Sequence, residues 1–222
     1  MANAPSAAAV SLRVTEIFHS LQGEARTAGR PTTFVRLTGC PLRCRYCDTA
    51  YAFNGGEVMS VDAILATVRR HGARYVTVTG GEPLAQPDCL TLLKELCDAG
   101  FDVSLETSGA LSVAGVDVRV SKVLDLKTPA SGECGRNDYT NVALLTPHDQ
   151  IKFVVCDRAD YDWARLKIDE LNLTARVSDV LLSPAVGELD PAELAAWVLA
   201  DGVDVRLQLQ LHKIIWGDRP GV

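Results

Sequence analysis

Short runs of β-branched and apolar residues alternate along the chain with segments whose apolar side chains recur at helical spacing. The first kind of segment predicts strands, because Val, Ile and Thr fit a pleated sheet. The second kind predicts amphipathic helices that bury one face. The predicted strands lie at residues 14–18, 33–37, 75–79, 103–106, 123–127, 151–155, 180–182 and 205–209.

Capping residues mark the ends of two predicted helices. Ser60 precedes a helix that ends at Gly72, as expected for a hydroxyl N-cap and a glycine C-cap. Asp190 and Pro191 open another helix, which Gly202 closes, and proline is favoured at the first helical position. Two more helices are predicted at residues 87–99 and 159–171, and long loops at residues 38–59 and 128–149, the second with one helical turn.

Strands that alternate with helices imply crossover connections and a parallel sheet. Polar, chemically reactive side chains follow the predicted strands, at the end where barrels of this kind bind ligands. Because 222 residues are few for eight strand–helix units, the pattern predicts an α/β fold with an incomplete barrel. An open doubly wound sheet is the alternative. No repeat or linker divides the sequence, so we expect one domain over residues 1–222, with residues 1–10 as a loose tail.

The composition indicates a globular protein that acts on small molecules. Hydrophobic residues make up 47% of the chain, and its net charge of −6 matches poorly with nucleic-acid phosphates. No apolar run approaches the ~20 residues of a membrane span, and the first ten residues lack the features of a signal peptide. We therefore expect a cytoplasmic protein without nucleic-acid or membrane partners, whose seven cysteines stay reduced.

Three cysteines stand close together in the loop at residues 38–59. Cys40, Cys44 and Cys47 have the spacing C-x3-C-x2-C. A [4Fe–4S] cluster normally takes four cysteine ligands, so three thiolates would leave one iron open. A structural zinc site needs four ligands, usually as two separated pairs, and the sequence offers no second pair. The spacing therefore favours an iron–sulfur cluster over zinc.

An open iron needs a ligand from outside the protein, and the amino and carboxylate groups of S-adenosylmethionine can serve. Electron transfer from the cluster then yields a 5′-deoxyadenosyl radical, which is chemistry of the cofactor. Gly80, Gly81 and Glu82 directly follow the strand at residues 75–79. Two glycines let the backbone approach a bound amino acid closely. By itself, a Gly-Gly pair after a strand indicates only a tight turn.

The cysteine spacing together with Thr79-Gly-Gly-Glu-Pro83 resembles the radical S-adenosylmethionine superfamily. Further motifs narrow the resemblance to the 7-carboxy-7-deazaguanine synthase family of queuosine biosynthesis. The similarity runs from about residue 14 to residue 216. The motifs are Glu16-Ile-Phe-His-Ser-Leu-Gln-Gly-Glu24, Phe34-Val-Arg36, Cys47-Asp-Thr49, Glu106-Thr-Ser-Gly109 and Gln208-Leu-Gln-Leu-His-Lys213.

The resemblance implies an incomplete, modified (β/α) barrel of the radical S-adenosylmethionine type and a defined reaction. The substrate would be 6-carboxy-5,6,7,8-tetrahydropterin, whose C6 hydrogen is removed before the ring contracts and ammonia is lost. S-adenosylmethionine would be regenerated, and the family also uses Mg²⁺. The resemblance further implies a homodimer and a reducing partner of the flavodoxin or ferredoxin type.

Matching to the family residue by residue assigns substrate binding to six residues: Leu21, Gln22, Gly23, Glu24, Arg36 and Thr107. An amide and a carboxylate, from Gln22 and Glu24, can read the donor–acceptor edge of a pterin, and a capped turn is the alternative. Arg36 can pair bidentately with the carboxylate of the substrate. Because Arg36 lies in an otherwise apolar strand, a structural salt bridge is its alternative role.

The same matching places the cofactor beside twelve residues: Tyr46, Cys47, Asp48, Gly80, Gly81, Glu82, Gly109, Lys127, Ser183, Pro184, Ala185 and Val186. Thr49 matches the magnesium ligand of the family, and a hydroxyl is a hard oxygen donor suited to Mg²⁺. Asp125 and Leu126 depart from the family, since many members have Ser-Pro there, so only Lys127 transfers well. His212 and Lys213 either line the site or pack at a dimer contact.

Two other functions compete with this interpretation. A glycyl-radical activase would use the same cysteine spacing on a protein partner, but the stretch at residues 20–24 and Cys47-Asp-Thr49 weigh against it. A non-catalytic metal-binding protein would hold zinc and no labile sulfide. Outside the cluster motif, Cys89 and Cys97 are expected in the core, and neither Cys134 nor Cys156 fits as a fourth ligand.

Overall fold

The computed structural model describes residues 10–217, 219 and 221, so most of the predicted N-terminal tail lies outside the described residues. The strands are β1 (Ser11–Leu21), β2 (Pro31–Leu37), β3 (Glu57–Ser60), β4 (Tyr75–Gly80), β5 (Asp102–Thr107), β6 (Ser121–Asp125), β7 (Gln150–Val155), β8 (Asp179–Pro184) and β9 (Arg206–Leu207). The helices are α1 (Val61–His71), α2 (Cys89–Asp98), α3 (Arg158–Glu170), α4 (Pro191–Asp201) and α5 (Leu211–Trp216).

In the described residues the nine strands form one sheet in the order β3-β1-β2-β4-β5-β6-β7-β8-β9. β1 is antiparallel to β2 and to β3, and every pair from β2 to β9 is parallel. Each parallel strand is added beside the previous one, whereas a doubly wound sheet reverses its order at a switch point. The sheet does not close, because β3 and β9 remain its two ends. The incomplete barrel is confirmed and the doubly wound alternative is wrong.

The predicted helix caps of α1 and α4 form as the sequence indicates. The Ser60 hydroxyl accepts a hydrogen bond from the Ala63 backbone N–H, and Gly72 ends α1 with a φ of 70°. Asp190 caps α4 in the same way, and Gly202 ends it with a φ of 62°. A left-handed φ of this kind favours glycine over other residues. These ends depend on local contacts, which explains why the sequence predicts them.

Two apolar clusters pack the helices against the sheet. The first contains residues of β1, β2, β4 and β5 with α1 and α2, including the buried Cys89 and Cys97. The second contains residues of β6, β7 and β8 with α3 and α4. The core position expected for both cysteines is confirmed. No helix in the described part of the chain is long and apolar enough to cross a membrane.

Several predicted boundaries are wrong, and most of these errors involve long-range contacts. The first three residues of β3 lie inside the predicted loop at residues 38–59, because pairing with β1 holds them extended. β6 ends at Asp125, since the Lys127 N–H bonds the Asn137 side chain instead of a neighbouring strand. β9 is shorter than residues 205–209, and the 128–149 loop contains three short 3₁₀ segments instead of one turn. Helix α5 was not predicted.

Candidate active site

One cavity of about 500 Å³ opens at the carboxyl ends of the parallel strands. That end is where ligands bind in barrels of this type, and the volume suits a cofactor with a small substrate. All predicted site residues line the cavity except Glu82 and Gly109. Gly109 lies behind the wall, where its carbonyl accepts hydrogen bonds from Asp138 and Asn141.

The cysteine loop lies along this cavity and is tied down on both sides. Cys40, Cys44 and Cys47 all line the cavity and are half-buried. Arg45, between two of the cysteines, forms a bidentate ion pair with Glu188 at 2.8 and 2.6 Å. Its backbone N–H also donates to the Ser131 carbonyl at 2.9 Å. The loop is therefore held in place by contacts with the segments that follow β6 and β8.

The donor chemistry fits a cluster better than a single ion. Within residues 10–217, 219 and 221, no three His, Cys, Asp or Glu side chains converge closely enough to hold one metal ion. The thiols that bind a cluster attach to different irons, so they stand farther apart than the ligands of a single ion. Three separated thiols that line one cavity fit this arrangement. Burial raises the pKa of Cys44 to about 11, and the nearby Lys127 ammonium opposes this rise. Coordination to iron must therefore remove the thiol proton.

A buried ion pair lies beside the thiols. Burial acts most strongly and lowers the pKa of Lys127, but the negative charges of Asp125, Cys44 and Cys47 together outweigh it, so the pKa is raised. Lys127 Nζ and Asp125 Oδ2 are 2.9 Å apart. The other oxygen, Asp125 Oδ1, is buried, and no described group donates a hydrogen bond to it. A buried acceptor without a donor is costly, so this oxygen marks a place where a ligand donor fits.

The two glycines after β4 let the backbone pack against the cysteine loop. A Cβ atom at Gly81 would overlap the Gly39 carbonyl and the Cys40 Cβ, and one at Gly80 would overlap the Leu37 backbone. The Glu82 N–H donates to the Gly39 carbonyl at 2.7 Å. Glycine is therefore required at positions 80 and 81 because the backbone there lies so close to the cysteine loop and to β2. Any contact with a cofactor would be a further reason.

Glu82 is fully buried behind the cavity wall. Its carboxylate accepts hydrogen bonds from the Thr107 hydroxyl at 2.9 Å, the Ser108 N–H at 2.7 Å and the Leu84 N–H at 3.0 Å. These bonds join the loop after β4 to the end of β5. The side chain of Glu82 is thus positioned to orient Thr107, which lines the cavity.

The residues matched to substrate binding form one buried network. The Gln22 side chain donates to the Thr77 hydroxyl at 3.0 Å and accepts from the Glu24 N–H at 3.2 Å. Glu24 Oε2 pairs with Lys152 Nζ at 2.5 Å. Glu24 Oε1 is buried without a donor from the described residues. Gly23 has no room for a side chain, because a Cβ there would overlap the His212 ring.

Arg36 lines the cavity and is also part of a salt bridge. It lies opposite Glu16 in the antiparallel pair β1–β2, and Arg36 Nε donates to Glu16 Oε1 at 2.8 Å. The Tyr51 hydroxyl donates to the same oxygen at 2.8 Å. In the described structure only Nε of the guanidinium makes a hydrogen bond. The salt bridge and a role in binding are therefore compatible, because the terminal nitrogens remain for a ligand.

Other cavity residues were not assigned a role from the sequence. Glu106 and Asp125 lie at the ends of β5 and β6, Lys152 lies in the middle of the adjacent β7, and all three line the cavity. Asp125 and Lys152 are direct partners in the β6–β7 register. Charged side chains at the ends of successive parallel strands are the signal that would have found Glu106 and Asp125. Lys213 and His212 also line the cavity, which is one of the two positions expected for them from the sequence.

Comparison with known proteins identifies the class that the barrel and the cysteine loop define. Residues 34–172 match the model of the radical SAM superfamily. The protein is thus a radical S-adenosylmethionine enzyme. At 14% identity, a crystal structure of Streptococcus suis SuiB bound to its precursor peptide shares the fold, with a TM-score of 0.59 over 78% of this chain.

Closer relatives identify the family within that class. The 7-carboxy-7-deazaguanine synthase of Koribacter versatilis is 46% identical over 219 residues, covering 92% of this chain and 97% of the relative. That of Chlorobaculum tepidum is 46% identical over 215 residues, covering 95% and 97%. The crystal structure of QueE from Escherichia coli gives a TM-score of 0.72 at 27% identity, covering 91% and 95%. The chain belongs to the 7-carboxy-7-deazaguanine synthase family, a family of lyases that use a [4Fe–4S] cluster, S-adenosylmethionine and Mg²⁺.

Proposed function

We propose that this chain converts 6-carboxy-5,6,7,8-tetrahydropterin into 7-carboxy-7-deazaguanine with loss of ammonia. The observation that carries the proposal is a single cavity lined both by three thiols and by a buried amide–carboxylate network. The family relatives support the same reaction. The glycyl-radical activase interpretation has no such support, since these relatives carry the synthase name.

The cysteine loop and the glycine pair would hold the cluster and S-adenosylmethionine. When bound, these groups supply the radical that removes the C6 hydrogen of the substrate. Cys40, Cys44 and Cys47 provide the thiolates, and the loop after β4 keeps Cys40 in place. Lys127 offsets negative charge beside the thiols, and the free oxygen of Asp125 accepts a donor from the ligand. The remaining proposed contacts come from Tyr46, Asp48, Glu82, Gly109 and residues 183–186.

The buried network around Gln22 would orient the pterin. Glu24 Oε1 lacks a donor, and the amino-pyrimidine edge of a pterin carries N–H groups that can supply one. Arg36 lines the cavity, and its terminal nitrogens make no hydrogen bonds to the described residues. These nitrogens can therefore donate to the substrate carboxylate. Arg36 Nε donates to Glu16, which the Tyr51 hydroxyl holds in place, so the position of the arginine is set before substrate binds.

Thr49 is the proposed protein ligand of Mg²⁺. It lies in the cavity wall next to Asp48, and its hydroxyl donates to Asp48 Oδ1 at 2.8 Å. Mg²⁺ is usually held by few protein oxygens, with water and substrate completing its shell. A site on Thr49 would leave room for the substrate carboxylate.

We expect Thr49→Ala to lose stimulation by magnesium while still binding S-adenosylmethionine. The alanine removes the oxygen donor, whereas Thr49→Ser keeps it and should keep much of the response. The measurement is turnover against magnesium concentration for the parent and both variants. Identical magnesium curves for the parent and the alanine variant would place the ion elsewhere.

Anaerobic turnover tests the proposed function directly. The reconstituted protein is incubated with the tetrahydropterin, S-adenosylmethionine and dithionite, and the products are analysed by mass spectrometry with a parallel ammonia assay. We expect the deazapurine and ammonia in equal amounts, and neither without S-adenosylmethionine. Reconstituted protein that carries iron and sulfide but forms neither product would contradict the proposal.

We further propose a single-domain homodimer in the cytoplasm that takes electrons from a flavodoxin or ferredoxin type of protein. One continuous sheet joins both apolar clusters, which supports a single domain. Ile214 and Ile215 on α5 are 65% and 47% exposed, directly after the cavity residues His212 and Lys213. Exposed apolar side chains of this kind suit a subunit contact.

A further inference from the structure

Glu106 is a cavity carboxyl whose role is not explained by the binding network. It is the second-last residue of β5 and lines the cavity near Gln22 and Thr107. The Thr79 hydroxyl donates to Glu106 Oε2 at 3.0 Å, and Gln22 Nε2 lies 3.5 Å from Glu106 Oε1. These contacts orient the carboxyl toward the residues matched to substrate binding.

The charged groups around Glu106 differ from those around its neighbour Glu24. Glu24 forms a direct ion pair with Lys152 at 2.5 Å, whereas Glu106 has no cationic partner within ion-pair distance among the described residues. Burial, and then the negative charge of Glu24, raise the pKa of Glu106, although Lys152 on β7 and Arg36 on β2 oppose the rise. Asp125 on β6 also faces Lys152. Two nearby carboxyl groups in unlike environments are the usual arrangement of an acid and its charged partner.

The reaction requires a group that moves a proton. Substrate and product differ by one ammonia, so the conversion involves no net oxidation or reduction. The departing nitrogen leaves as ammonia when its bond to carbon breaks, takes the electron pair of that bond and gains a proton. A ring carbon must release a proton as the new five-membered ring becomes aromatic. One carboxyl group can serve both events, because it gives its proton to the nitrogen and then regains a proton from the ring carbon.

We propose that Glu106 is a catalytic residue that donates the proton to the departing nitrogen. Its carboxyl proton goes to the nitrogen as the carbon–nitrogen bond breaks, and the resulting carboxylate takes up the proton that the ring carbon releases. Thr79 and Gln22 orient the carboxyl for both transfers. This inference rests on the proposed function, because it assigns a residue to the last stage of the same ring contraction.

Glu106→Gln tests the inference, because the amide keeps the shape of the side chain and cannot carry the proton. The substrate is labelled with deuterium at C6, and three quantities are measured: substrate affinity, deuterium in the recovered S-adenosylmethionine, and release of ammonia. Glu106→Asp keeps an acid at the site. Asp102→Asn, at the other end of β5, is the matched control, since the only ion pairs of the Asp102 side chain with described residues are long ones to Arg26 and Arg74.

We expect Glu106→Gln to bind substrate as the parent does and to transfer deuterium, with ammonia release slowed by about 10²-fold or more, the usual contribution of a general acid. In the parent, kcat should fall as pH rises through the raised pKa of Glu106, because the protonated form is the active one. Glu106→Asp should retain that fall and Asp102→Asn should behave as the parent. Parent-like ammonia release in Glu106→Gln would overturn the inference, as would weakened binding with loss of deuterium transfer. Absence of product from the parent would instead contradict the proposed function.

Discussion

Replacing any one of Cys40, Cys44 or Cys47 with alanine should abolish cluster binding and product formation while leaving the fold largely intact. Each thiolate holds one iron, and three ligands are already one fewer than a cluster normally takes. None of the three is among the fully buried apolar residues that pack the core, so alanine costs little folding free energy. The measurements are iron and sulfide content, the electron paramagnetic resonance spectrum of the reduced protein, and thermal unfolding.

Cys134→Ala and Cys89→Ala are the controls for this prediction. Cys134 is half-buried in the loop after β6, and Cys89 is fully buried in the first apolar cluster. Neither lines the cavity. Both variants should bind the cluster as the parent does, although Cys89→Ala leaves a small void in the core and should be less stable. Loss of the cluster in Cys134→Ala would contradict the three-ligand site.

Features that depend on local sequence were predicted well. Ser60 and Gly72 mark the ends of α1 because capping involves residues only a few positions apart. The three cysteines were found because their spacing alone suggests their chemistry, and the two glycines were found because they follow a strand in a chain that carries such cysteines. The parallel direction of the strands from β2 onward followed from the alternation of strands with helices.

Features that depend on contacts between residues far apart in sequence could not be predicted from local patterns. β3 exists because β1 pairs with it, and residues 57–60 have no strong pattern of their own. The salt bridge of Arg36 depends on the register that places Glu16 opposite it. Glu82 was matched to the cofactor, but its hydrogen bonds to Thr107 and Ser108, about 25 residues away in sequence, could not be predicted. Predicting these contacts requires the packing of the strands as well as their order.

Gly81→Ala should weaken both the fold and cluster binding. The new methyl group would overlap the Gly39 carbonyl and the Cys40 Cβ, so the cysteine loop must move away from β4. Overpacking of this kind typically costs about 1–3 kcal/mol of folding free energy. The same movement displaces Cys40 from the other two thiols, so less iron should be bound after reconstitution.

Gly135→Ala is the matched control, because no atom lies within 4 Å of a Cβ built at that position. Gly135 is exposed in the 3₁₀ turn Cys134–Arg136, and alanine at an unstrained glycine position is neutral or slightly stabilising. Urea unfolding of the cluster-free proteins measures the first effect, and iron content after reconstitution measures the second. If Gly81→Ala matched Gly135→Ala in both measurements, the close approach of the glycine pair to the cysteine loop would have no role in holding Cys40.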